Sequence, residues 1–321
     1  MTVRKARLRA PAKINLDLRV LGRRPDGYHE LRTVFQIISL ADVLHVEHEP
    51  GPVFSIELES KLAIEGNLVE RAARRLHEAA GLSGRWRVKL EKRIPMGAGL
   101  GGGSADAAAV LLGFPAIGGV RIAMEKLAEV AAEMGSDVPF FLLGGAAVGL
   151  GRGTELYPLP DMPRRPGIIV SPGIHVSTAD AYKALGRALT PEIPSSILNT
   201  FQCLVWREDA CARGVGEGPQ NDFETVVFER HPRLGEIRSR LEAEGAYPAR
   251  MSGSGSSLFG LFGGRAERNQ ALARLGEALG AEMRLDAVTL PGRRQYRSLW
   301  LRQLQPYCER KEWPPQSRYC P

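Results

Sequence analysis

Residues 95–112 read Pro95-Met96-Gly97-Ala98-Gly99-Leu100-Gly101-Gly102-Gly103-Ser104-Ala105-Asp106-Ala107-Ala108-Ala109-Val110-Leu111-Leu112, with five glycines and a serine set directly against an Ala/Leu-rich run. Residues without side chains let backbone N–H groups converge on an anion, and the helix that follows aims its unpaired amides and positive dipole end at the same point. The junction is therefore read as a phosphate-holding loop with a nucleotide as its ligand. Ser104 serves as a helix cap or as a phosphate donor, and Asp106 as a partner of the helix dipole.

Two familiar phosphate loops do not fit. Gly97, Gly99 and Gly102 satisfy the spacing of a dinucleotide fingerprint, but that motif belongs in a βαβ unit, and here the loop follows some ninety residues that read as strands in series. A Walker A loop is excluded because no Gly-Lys-Ser/Thr follows.

Upstream, Lys13 to Val20 alternates strictly. Ile14, Leu16, Leu18 and Val20 share one face, and Lys13, Asn15, Asp17 and Arg19 the other, the pattern of a half-buried strand. A turn at Arg24-Pro25-Asp26-Gly27 leads to Tyr28-His29, and strands are read at 32–40, 42–49 and 53–58. Asn67 opens a helix that Gly81 closes, and Trp86, Val88 and Leu90 alternate as the strand entering the loop. A helix over 121–134 stops at Gly135, before Ser136-Asp137-Val138-Pro139-Phe140-Phe141, where Asp137 sits between a helix stop and a new start. Residues 144–153, with five more glycines, read as a tightly packed returning strand, and Pro158–Pro166 as the interdomain connection.

Beyond the connection the reading gives a strand at 167–171, a helix from Thr178, a Pro-rich irregular stretch over 190–220, and helices starting near Asn221 and Pro232. Strands at 247–252 and 257–262, a helix at 265–279 and a strand at 281–289 complete it. Met251-Ser252-Gly253-Ser254-Gly255-Ser256-Ser257 is too short for a parallel crossover, so the arrangement is an antiparallel α+β sandwich whose Ser/Gly loop can close over the phosphates.

The chain has 321 residues, a formal charge of +7 and four cysteines, Cys203, Cys211, Cys308 and Cys320, that avoid CxxC spacing and read as ordinary thiols of a reducing compartment. From Gly292 onward seven Arg/Lys face two Glu, which leaves the body nearly neutral and without the basic stripe of a nucleic-acid surface. No apolar run reaches the ~20 residues of a membrane span, and Met1–Asn15 lacks a secretory leader's apolar stretch. A cytoplasmic enzyme with no membrane or nucleic-acid partner is expected.

Three motifs in order, Pro11-Ala12-Lys13-Ile14-Asn15-Leu16, Pro95 to Ala109 and Met251 to Gly255, resemble those of the GHMP kinase superfamily. Asp26-Gly27-Tyr28-His29, Gly135 to Phe141 and Asn221-Asp222 are similar to the branch that phosphorylates a cytidine-diphosphate-linked methylerythritol in isoprenoid precursor synthesis. The resemblance implies an α+β fold of two domains: an N-terminal domain like the second domain of ribosomal protein S5 (1–160) and a ferredoxin-like C-terminal domain (161–291), followed by a basic, poorly ordered tail (292–321). It implies an ATP-dependent kinase with Mg²⁺ travelling on the nucleotide, working as a monomer or homodimer on a small molecule bearing cytidine diphosphate.

Residue roles follow from the same resemblance. Asp137 takes the proton from the tertiary C2 hydroxyl, with Lys13 as its charged neighbour. Pro95, Met96, Gly97, Ala98, Gly99, Leu100, Gly101, Gly102, Gly103 and Ser104 hold the ATP phosphates, while Asn67, Leu68 and Lys92 contact the adenine side. Asn15 orients the methylerythritol hydroxyls, Tyr28 and His29 recognise cytosine, and Thr178 and Tyr182 contact cytidine and sandwich the base from the other side. The rivals are a homoserine or mevalonate type kinase of the same superfamily, an RNA-binding S5-like protein, and an NAD-dependent oxidoreductase.

Overall fold

Two long strands, β1 (Arg4–Arg23) and β2 (His29–Glu49), pair antiparallel along almost their whole length in the computed structural model, which describes residues 2–61, 66–161, 163–186, 220–280, 282–308 and 312–319. The second half of β2 pairs with β4 (Arg85–Glu91), which carries β3 (Ser55–Ser60) in parallel, and its first half pairs with β5 (Ala146–Gly151), followed by β6 (Glu155–Pro158). Four helices cover this sheet: α1 (Leu68–Ala80), α2 (Gly102–Gly118), α3 (Met124–Met134) and α4 (Val138–Leu143).

The second sheet runs β10-β7-β9-β8, built from β7 (Pro166–Ser171), β8 (Ala249–Met251), β9 (Leu258–Leu261) and β10 (Arg284–Thr289), all antiparallel. Its helices are α5 (Thr178–Leu185), α6 (Phe223–Arg230), α7 (Pro232–Ala243) and α8 (Arg265–Leu279). A β-α-β-β-α-β order with the first strand beside the last and third is the ferredoxin-like arrangement.

The helix α1 forms where its caps require. The Asn67 side chain accepts from Val69 N at 3.0 Å, and Gly81 closes the helix in the left-handed region at φ 69°. By contrast α2 is buried on nearly every side, so packing rather than amphipathicity orients it. It starts at Gly102 with Gly101 as N-cap, two residues before Ser104, which therefore lies inside the first turn instead of capping it.

Three findings correct the sequence reading. The strand through Lys13 is not half-buried: Lys13, Asn15 and Asp17 are 4 %, 2 % and 9 % exposed. Register shifts between Pro11 and Lys13 and between Asn15 and Asp17 break the strict alternation, and such bulges re-aim side chains. The segments read at 32–40 and 42–49 are one continuous strand.

The basic tail is also not a solvated extension. Residues Arg293–Gln303 form α9, and Tyr296, Trp300, Leu304 and Tyr307 are buried in the core of the first domain. The Tyr296 hydroxyl donates to Phe141 O, and Trp313 Nε1 donates to Leu142 O at 3.1 Å. Its spacing of apolar side chains four apart was readable beneath the charge. Cys308 is buried and reduced, and burial pushes its thiol up to about 11. The Cys203–Gly218 stretch, Cys320 and the Pro-rich segment up to residue 219 lie outside the described residues.

Two of the three apolar clusters belong one to each domain, and the third joins the sheets through Ile14, Leu16, Ile94 and Leu100 from the first and Ile169, Phe259 and Val288 from the second. One strand, β1, feeds all three: Leu8 and Ala10 in the first, Leu18 and Val20 in the second, Ile14 and Leu16 in the seam.

A buried histidine in this core sets an acid limit. His48 stacks on Trp86 at 4.1 Å, Nε2 faces Ser83 O at 3.2 Å, and buried Nδ1 has no partner. Burial holds its pKa at about 4, against the backbone carbonyl's opposing pull. Between roughly pH 6.5 and 4 the unfolded chain takes up this proton and the folded chain does not, so stability falls on acidification by up to about 3 kcal/mol. Melting temperature measured across that range should drop less steeply in His48→Gln than in the parent; equal slopes would refute the assignment.

Candidate active site

A cleft of about 950 Å³ between the two sheets gathers most of the residues singled out in the sequence: Lys13, Asn15, Tyr28, His29, Gly97, Gly99, Gly101, Ser104, Asp137, Thr178 and Tyr182 all line it. At its floor the Lys13 ammonium lies 3.3 Å from Asp137 Oδ2 and donates to Asn15 Oδ1 at 2.7 Å. Asn15 Nδ2 donates to Thr33 Oγ1, and Thr33 in turn to Asp17 O, so the amide orientation is fixed. Burying an ammonium this deeply is costly, and both partners offset that cost.

Asp137 is the N-cap residue of α4, yet its side chain makes no capping bond. Its carboxylate is 30 % exposed and faces the cleft, free to meet a substrate proton. Its charge also reaches Tyr182, whose phenol is pushed up to about 12, by burial first and by Asp137 second. The tyrosine therefore stays a neutral hydroxyl donor.

The glycine loop forms the wall above this floor. Gly97, Gly99 and Gly101 adopt the left-handed region at φ 62°, 77° and 68°, alternating with Ala98 and Leu100, whose side chains are buried. Alternation of this kind presents backbone amides to one side, an anion-binding nest continued by the N-terminus of α2. Lys13 N donates to Leu100 O at 3.0 Å, which ties β1 to the loop.

The Ser/Gly loop of the second domain rests directly on this wall. Ser252 Oγ donates to Gly99 O at 2.9 Å, and Ser257 N donates to Ala98 O at 3.2 Å. The fit at Gly99 is so close that a Cβ there would stand 1.9 Å from Ser252 O. Asn221, quoted in the sequence only as part of a motif, explains how the Ser/Gly loop is held: its Nδ2 donates to both Met251 O and Gly253 O at 2.8 Å.

Aromatic groups sit at the other end. His29 and Tyr182 stack on each other at 4.4 Å with planes 22° apart, and Phe223 meets Tyr182 edge-on at 4.8 Å. The expected arrangement put the base on the Tyr28 ring with His29 at its edge and Tyr182 on the other side; the stack packs the last two against each other. Tyr28 is 51 % exposed and carries the Arg152 guanidinium 3.4 Å above its ring. Burial and Arg23 hold the His29 pKa below its usual value, which leaves a neutral imidazole with one donor and one acceptor. Thr178 Oγ1 and Ser254 Oγ share a hydrogen bond of 2.7 Å.

Lys92 departs from its expected place. Its ammonium, 7 % exposed, is held by Asp42 and by Asp106 at 2.7 Å, and Lys92 is not among the residues lining the cleft. Asp106 is likewise no dipole partner. Burial raises its carboxyl pKa, and the charge of Asp42 opposes its ionisation while Lys92 favours it. Asp42 Oδ1 also accepts from Arg93 N and Ile94 N, so the triad anchors the chain entering the glycine loop to β2. Asn67 spends its side-chain oxygen on the α1 cap, and Leu68 packs near Gly103.

The sequence missed Arg152 and His175 as cleft residues. Arg152 was findable as the charged residue inside Gly149-Leu150-Gly151-Arg152-Gly153. His175, 3.7 Å from a Cβ at Gly97, follows an ordinary Pro-Gly turn and carries no such signal.

An amide nest, a buried ammonium–carboxylate pair and two sheets joined at a shared seam define a small-molecule kinase of the GHMP type. The sequence matches the GHMP kinases N terminal domain over residues 67–145 and the GHMP kinases C terminal domain over 208–281. A protein from Solibacter usitatus (strain Ellin6076) named 4-diphosphocytidyl-2-C-methyl-D-erythritol kinase is 52 % identical over 324 residues, covering 100 % of this chain and 99 % of that protein. One of the same name from Thermus thermophilus is 43 % identical, over 88 % of this chain and 96 % of its own.

A crystal structure of 4-(cytidine 5'-diphospho)-2C-methyl-D-erythritol kinase superposes with a TM-score of 0.72 at 42 % identity, covering 89 % of this chain and 99 % of that one. Homoserine kinase from Cytophaga hutchinsonii, at 19 % identity and a TM-score of 0.65 over 90 % and 95 % of the two chains, shares the fold. The chain belongs to the 4-diphosphocytidyl-2-C-methyl-D-erythritol kinase family. Among the described residues no helix is long and apolar enough to cross a membrane.

Proposed function

We propose that the protein transfers the γ-phosphoryl group of ATP to the 2-hydroxyl of 4-diphosphocytidyl-2-C-methyl-D-erythritol, giving the 2-phosphate and ADP. The observation that carries this is the single cleft in which the Lys13–Asp137 pair lies between the glycine loop and the Tyr28, His29 and Tyr182 cluster. The amides of residues 97–104 hold the phosphates, and Asp137 accepts the proton of the tertiary alcohol as its oxygen bonds to Pγ and the bond to the ADP oxygen breaks. Lys13, 3.3 Å from Asp137, stabilises the developing alkoxide. Because a carboxylate is a weak base for an alcohol, alignment and charge neutralisation supply most of the acceleration.

Among the described residues no cluster of three His, Cys, Asp or Glu forms a metal cage. Mg²⁺ binds through substrate phosphates, waters and one or two protein oxygens. The cleft offers the Ser104 hydroxyl and the Asp137 carboxylate for this, and the ion would neutralise phosphate charge. The same reading keeps the enzyme in the cytoplasm, as a monomer or homodimer.

Asn15, fixed by Lys13 and Thr33, orients the methylerythritol hydroxyls. The cytosine takes over the face of Tyr28 now covered by Arg152, while the neutral His29 imidazole pairs with the base edge and Thr178 reaches the cytidine. Assay of the purified protein with Mg-ATP should give phosphorylation of this substrate and none of homoserine or mevalonate, neither of which carries a base. Turnover of either of these with no turnover of the cytidine compound would overturn the proposal. Base–aromatic stacking is worth about 1–3 kcal/mol, so Tyr28→Ala should raise KM for the cytidine substrate roughly 10- to 100-fold. KM for ATP should not move, and unchanged kinetics for both substrates would remove the cytidine assignment.

A further inference from the structure

A second concavity, of about 540 Å³, lies where β1, the interdomain connection and α9 meet. Arg9, Arg164, Arg294 and Arg302 line it, and no aspartate or glutamate does. Among the described residues none of the four forms an ion pair with a carboxylate. The nearby Asp161 is spent on the backbone N–H groups of Arg293 and Arg294 at the start of α9. Arg9 donates to Ser39 O at 3.3 Å and Arg302 to Ser298 O at 3.2 Å, which fixes two of the side chains and leaves most of their donors unused.

Like charges around one concavity repel, and an anion placed among them relieves that repulsion while accepting bidentate guanidinium bonds. Ile38, Pro291 and Leu299 supply an apolar wall beside the cations. The volume falls in the small-ligand range of roughly 300–1,000 Å³. A nucleic acid would require a basic stripe running across the surface, which a single concavity does not offer. The positive charge concentrated after Gly292, which the kinase reaction does not use, is partly spent here.

We propose that this concavity is a second anion site that binds a small diphosphate-bearing metabolite, separate from the phosphate loop. Its walls come from both domains and from α9, and Arg9 and Pro11 stand on the strand that carries Lys13. Occupancy therefore clamps the three parts together.

The test is calorimetric titration with inorganic pyrophosphate while a non-hydrolysable ATP analogue and Mg²⁺ saturate the phosphate loop. The full-length protein should bind, and the Arg294→Ala/Arg302→Ala double variant should bind at least roughly tenfold more weakly with its kcat, KM and melting temperature unchanged. The charge-matched control Arg233→Ala/Arg240→Ala, on α7, should retain full affinity. Three results would each overturn the proposal: no binding at millimolar pyrophosphate, equal loss in the control, or a short single-stranded RNA that displaces pyrophosphate from the parent and fails to bind the Arg294→Ala/Arg302→Ala variant.

Discussion

Asp137→Asn lowers kcat by roughly a thousandfold while KM for ATP changes less than about threefold, the range expected when a positioned general base is lost. The substitution is nearly isosteric, and an amide oxygen still faces the Lys13 ammonium, which stands 3.3 Å from the carboxylate. What disappears is the proton acceptor and the negative charge. The buried Lys13, 4 % exposed, then keeps Asn15 as its partner, so the fold survives with some loss of melting temperature. Steady-state kinetics with both substrates separate these effects. A variant retaining more than about a tenth of parental kcat would show that Asp137 is not the base.

The second large effect is at Gly99. Its φ of 77° disfavours any side chain, and a Cβ would collide with the Ser252 carbonyl at 1.9 Å and the Gly255 carbonyl at 3.3 Å. Both obstacles are backbone, so no side-chain rotation relieves them, and one of the two loops must move by about an ångström. Misplacement of that size costs about a hundredfold in aligned chemistry. Gly99→Ala should therefore reduce kcat/KM at least about a hundredfold and weaken ATP binding, read by nucleotide titration and kinetics. Gly51→Ala, where nothing lies within 4 Å, is the control and should behave as the parent. Full activity in Gly99→Ala would show that the two loops need not touch during turnover.

How far the sequence reached is clear from particular residues. The caps at Asn67 and Gly81 placed α1, and α8 was read at Arg265–Leu279, the span it occupies. These elements are governed by local chemistry, which a single chain displays in order. The glycine loop was legible for the same reason, whereas Asp137 was singled out by the resemblance of its motif to a known family, and both line the cleft.

Other features depend on what lies across the fold. Nothing near Lys92 signals that Asp42, fifty residues earlier, claims its ammonium, nor that the His29 ring stacks on Tyr182. The bulges in β1 are set by pairing with β2, and alternation alone gives no sign of them. At α9 the error was of emphasis. Its arginines outnumber its aromatics, yet burial of Tyr296 and Trp300 decides where the helix goes.

The membership of β1 in three apolar clusters bears on how such an enzyme can be taken apart or recombined. Cutting the chain at the Pro-rich connector would leave Leu18 and Val20 stripped of their neighbours on one fragment and β7 facing water on the other. The lobes are thus not interchangeable modules. Grafting a new second domain onto this first domain demands that the shared strand be redesigned along with it.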